Sequence, residues 1–182
     1  MGVSSRTVTF VKVIAWLGIV GGVFTSLGGL ITGVMFLLTP VWDVYAKMPN
    51  VDPAWAAKMT DFMHTGALLG LIKVPFSIAA VVAGIGMLQL KSWSRPLMEK
   101  MLWFFIVSTI AMAVYSSSAM DMGGMLKGLP NAKMDTSKFA EAMGLFMKVL
   151  TAIFTLLWCS LMGACAWFLQ RDETRRYFKA KR

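Results

Sequence analysis

The sequence predicts an all-α polytopic membrane protein with four transmembrane helices. Three observations carry the prediction. Apolar residues make up 57% of the chain and charged residues 15%, against roughly 45–50% and about 25% in a soluble domain. The apolar excess is gathered into four runs, each close to the roughly 20 residues a helix needs to cross a bilayer core. Lys and Arg gather at the ends of those runs, where topology signals sit. At 182 residues the chain suits a single four-helix domain.

The first span is expected at about 13–38. The apolar run from Phe10 to Leu38 is longer than the roughly 7–15 residues of a cleavable signal, so it reads as a retained helix. The second span, about 66–90, is interrupted by Lys73. The third covers about 101–119. The fourth, about 149–169, has no charge.

Charge sets the direction. Arg6 and Lys12, then Lys91, Arg95 and Lys100, then Arg171, Arg175, Arg176, Lys179, Lys181 and Arg182 fall on one side of the four-span arrangement. Lys47, Lys58, Lys127, Lys133 and Lys138 fall on the other. The basic excess marks the cytoplasmic side, so both termini are expected inside and the two longer connections outside. The same placement argues against nucleic acid as partner, because the basic residues follow span ends rather than forming a binding face.

Two helices are expected to run past the membrane on the outer side. Asp52-Pro53 is an N-cap followed by proline at the first helical position. No breaker follows until Gly66, and Trp55, Met59, Phe62 and Met63 recur at helical spacing. One helix is therefore expected over 53–90, with Pro75 as its kink point. Asp135 opens a similar run over 136–170. Such helices would be about 57 and 52 Å long, longer than a core of about 30 Å.

The halves 10–95 and 96–182 resemble tandem helical hairpins. Pro49-Asn50 recurs as Pro130-Asn131 and Leu88-Gln89 as Leu169-Gln170, both 81 residues apart. Trp16-x-x-Ile19-Val20 resembles Trp103-x-x-Ile106-Val107 at a slightly larger offset. Related halves are common in transporters, while chance identities are frequent in apolar sequence.

Lys73 is the leading candidate site, since an ionisable residue inside a span is a functional hypothesis by default. Counted from Gln89, it lies about 24 Å up the helix, in the outer part of the bilayer. It either snorkels to the headgroups or meets an anionic ligand, lipid or subunit. Lys148, about 33 Å from Gln170, falls at the outer interface. Small residues form packing faces: Gly18, Gly22 and Ser26, then Gly29 and Gly33, on the first span; Gly66, Gly70, Ala80 and Gly84 on the second. Those faces would serve contacts within the chain or with another subunit.

A weaker candidate is an extracytoplasmic Cu(I) site of Met63, His64, Met120, Met122 and Met125, because thioethers are soft ligands. Against it, Met totals 16 and occurs throughout the spans, where it is a flexible filler. A single histidine excludes a bis-His haem within the chain. Cys159 and Cys165 stand in one apolar run, about 9 Å apart along the helix and on different faces. They read as inert buried thiols, not a disulfide framework. There is no Ser/His/Asp set, no phosphate loop and no carboxylate pair within the spans. No cofactor and no catalytic activity of its own are expected.

The turn Gly86-Met87-Leu88-Gln89-Leu90-Lys91-Ser92-Trp93-Ser94-Arg95 and the ending Leu169-Gln170-Arg171-Asp172-Glu173-Thr174-Arg175-Arg176-Tyr177-Phe178 resemble those of small uncharacterised four-span bacterial membrane proteins. That resemblance implies a bacterial inner membrane and brings no activity with it. The leading expectation is an accessory or structural subunit of a larger membrane complex, in contact with lipid and other subunits. The rival is a small transporter or binder of an anionic or lipid-like ligand centred on Lys73.

Overall fold

The computed structural model describes residues 5–38, 53–119 and 136–179. These residues form five helices and no strand: α1 Ser5–Leu38, α2 Pro53–Leu88, α3 Ser94–Ala119, α4 Thr136–Gln170 and α5 Asp172–Lys179. The first four are each long and apolar enough to cross a membrane. Met120 to Asp135, the residues around Asp43 and Pro49, and the capping residue Asp52 lie outside the described residues.

α2 starts at Pro53 and stays helical on both sides of Pro75. α4 starts at Thr136. Their lengths of 36 and 35 residues correspond to about 54 and 52 Å. α1 is just as long, at 34 residues, and begins well before the expected span. Nothing in Ser5–Lys12 breaks a helix, and the stretch has something to pack on: Thr7 and Val11 are buried. α3 is the shorter helix, at 26 residues. All four rods therefore outrun a bilayer core of about 30 Å, α3 by the least.

α1 and α2 run antiparallel along a seam of small residues. Gly84 lies against the Ala15 carbonyl, Gly22 against that of Ser77, and Gly29 against that of Gly70. Without side chains at these points the backbones approach closely, and dispersion and polar contact replace the hydrophobic drive that lipid removes. α3 packs on α2, and α4 on α3. Phe76 stacks on Phe104 at 3.8 Å between ring centres, and the Tyr115 hydroxyl donates to Thr65 Oγ1 at 3.1 Å.

The bundle is closed at one end. There the α2–α3 turn brings all the helices together around Val11, Ile14, Ala15, Ala83, Met87, Met98, Leu169 and Phe178. Leu90 makes the turn with φ 58°. The Leu90 amide donates to the Met87 carbonyl and the Lys91 amide to that of Gly86. This is a Schellman ending with leucine in the position glycine usually holds. The side chain packs against the core cluster, which offsets the left-handed backbone.

α4 stops at Gln170 because its last carbonyls are taken. Arg95 of α3 donates to the Leu169 carbonyl at 2.7 Å, and the Thr174 hydroxyl donates to that of Phe168 at 3.0 Å. A cation on these carbonyls also complements the negative end of the helix dipole. The chain then turns at Arg171 into α5, which the hydropathy pattern did not anticipate.

Away from the closed end α1, α2 and α3 stay packed while α4 is left with little cover. Only 6% of the α4 span is buried, against 28% for α1 and for α2. Phe24, Val107 and Phe154 are 72%, 64% and 70% exposed. So much uncovered apolar surface marks a lipid-facing wall.

Candidate functional site

α4 packs mainly on α3 and meets α1 at the closed end, where the rings of Phe10 and Phe168 lie 5.0 Å apart, and a cavity of about 400 Å³ is left between the first four helices. Gly18, Gly21 and Gly22 of α1 line one wall, and Gly21, with nothing within 4 Å of where a Cβ would stand, leaves room there. Met98 and Phe105 of α3 and Trp158 of α4 close the others. Lys73 of α2 lines this space and is half-buried.

The polar lining is sparse. Thr25, Lys73 and Thr109 reach the cavity from three helices, and Cys165 from the fourth. The lining holds no carboxylate, and among the described residues no ion pair involves Lys73. The Ser77 hydroxyl, one turn on, donates to the Lys73 backbone carbonyl at 2.9 Å and so leaves the ammonium alone. An ammonium brings three donors, and in apolar surroundings it favours an anion beside it.

Two further cavities, of about 540 and 480 Å³, continue along the α3–α4 groove. Thr109 and Trp158 line both the first and the second. Thr151 and Thr155 line both the second and the third, which ends at Ser116, Ser117 and Lys148. A mostly apolar trough thus runs from Lys148 to Cys165, passing Lys73 near Thr25 and Thr109, with hydroxyls between the two lysines. From Lys148 to Cys165 it follows about 26 Å of α4.

The small residues distribute as follows. Gly18, Gly22, Gly29, Gly33, Gly70 and Gly84 lie on the α1–α2 seam. Ala80 is buried. Ser26 donates to the Gly22 carbonyl at 2.8 Å. Gly66 faces Met112 of α3 instead. Met63 is half-buried and His64 exposed on α2, while Met120, Met122 and Met125 lie outside the described residues. Cys159 and Cys165 are free thiols, half-buried on α4.

Sequence reasoning passed over Thr25, Thr109 and Trp158. Threonines are ordinary in spans, and Trp158 reads as packing. Only the spread of α4 from α1 reveals that they share a cavity with Lys73. Together the four apolar helices define the class, a multi-pass α-helical membrane protein. No family model, no curated protein and no solved structure matches the chain.

Proposed function

We propose that the protein binds an anionic amphiphile drawn from the surrounding membrane, with the charged group at Lys73 and the apolar part in the trough along α3 and α4. One observation carries this reading. A half-buried lysine lines a cavity bordered by four helices, and no carboxylate shares that lining. Lysine within a span is costly, and an anion in the cavity offsets that cost. Snorkelling is the competing account of Lys73. The cavity favours the ligand, because it provides space beside the ammonium as well as a route outward.

In this reading the closed end of the bundle faces the cytoplasm of a bacterial cell, with both termini there and the protein in the inner membrane. The basic residues of the α2–α3 turn and of the C-terminal segment support that direction. Lys148 then lies at the outer interface, and the amphiphile enters from the outer leaflet.

The test is native mass spectrometry of protein released from mild detergent or lipid discs. The expected result is an acidic amphiphile retained by the wild type and lost from Lys73→Met. Equal retention by both would overturn the proposal. A second reading makes the protein an accessory subunit of a larger complex. It is supported by the thin cover of α4, where Gly144 and Gly163 have nothing within 4 Å. Co-purifying subunits in the same spectra would favour it.

A further inference from the structure

The C-terminal helix has two faces of opposite character. Thr174 and Phe178, one turn apart, are buried at 0% and 3% exposure, and Tyr177 beside them is half-buried. Phe178 belongs to the core cluster of the closed end. The Thr7 hydroxyl donates to Glu173 Oε2 at 3.4 Å, tying α5 to α1. Asp172, Arg175, Arg176 and Lys179 recur at i, i+3, i+4 and i+7 and are exposed, so they form the opposite face. Among the described residues, Arg175, Arg176 and Lys179 take part in no ion pair.

The depth of this basic face is fixed by what precedes it. One residue, Arg171, separates α5 from the membrane-crossing α4. Its guanidinium lies 4.8 Å from the Trp167 ring centre, and Trp167 is 61% exposed on the lipid side. Tryptophan at the end of a span marks the headgroup level. Docking through Phe178 holds α5, with its basic side chains, at that level.

We infer that α5 is a binding face for the headgroups of anionic phospholipids in the leaflet at the closed end. The partner follows from charge and depth together: three cations against the single carboxylate of Asp172 on this face, held where lipid phosphates lie. The site is separate from the Lys73 cavity and does not depend on it.

Electron spin resonance of the full-length protein, with spin-labelled anionic and zwitterionic lipids of matched chains, tests the inference. The wild type should select the anionic lipid. Each basic residue at the surface contributes roughly fivefold, so Arg175→Gln/Arg176→Gln/Lys179→Gln should lower the selectivity at least about tenfold. The triple substitution should lower selectivity by the same factor in a Lys73→Met background, which separates this site from the cavity. Wild-type selectivity should also weaken as salt is raised. Selectivity that persists in the triple variant, or that ignores salt, overturns the inference.

Discussion

Gly28 and Gly29 are chain neighbours with opposite structural demands, and exchanging each for alanine tests the α1–α2 seam directly. A Cβ at Gly29 would stand 2.6 Å from the Gly70 carbonyl oxygen and 3.2 Å from its carbon. Ordinary contact begins at 3.4 Å, and the obstacle is backbone, which cannot rotate away. The two helices must therefore part by close to an ångström there. A gap of about 0.5–1 Å forfeits a quarter to a half of each dispersion contact around it, and overpacking of this kind costs about 1–3 kcal/mol. Helix propensity returns at most about 1 kcal/mol. Gly28 has nothing within 4 Å, so Gly28→Ala meets no clash and gains that propensity. Equilibrium unfolding in mixed micelles should show Gly29→Ala destabilised and Gly28→Ala unchanged or stabilised. Equal effects at the two positions would refute the close approach at Gly70.

Three further outcomes follow from the closed end and the cavity. Arg95→Met should destabilise by about 1–2 kcal/mol, since it removes a charged donor from the Leu169 carbonyl, and hydrogen exchange should rise in the last turn of α4. Phe178→Ala should cost up to about 3 kcal/mol, less than a fixed core site because α5 can undock as a unit; limited proteolysis near Arg171 should report the release. Lys73→Met should raise the stability of delipidated protein by about 1 kcal/mol or more, since it removes an ammonium from an apolar cavity. A neutral result in the same unfolding assay would favour a lysine that merely snorkels.

The spans were legible because lipid imposes a strong rule: each crossing helix needs a long apolar run, and Lys73 was the one interruption. The helix start at Pro53 was legible too, since proline fits a first turn. The helical stretch Ser5–Lys12 was not, because polar residues become helical there through Thr7 and Val11 meeting the closed end, a tertiary effect. α5 escaped for a similar reason. Its sequence is strongly charged, and only Phe178 docking into the core and Arg95 capping α4 explain where it breaks away. The cavity depends on the angle between α4 and α1, which no local pattern encodes. Lys73 could be picked out from its sequence alone, but Thr25, Thr109 and Trp158 could not.

Photolabelling tests the cavity most directly. A long-chain carboxylate with a diazirine near its head, equilibrated with the protein in lipid discs, should label Thr25, Thr109 and Trp158 beside Lys73. That labelling should fall sharply in Lys73→Met. Labels confined to the outward-facing residues Phe146 and Leu157, with no change in the variant, would contradict the account.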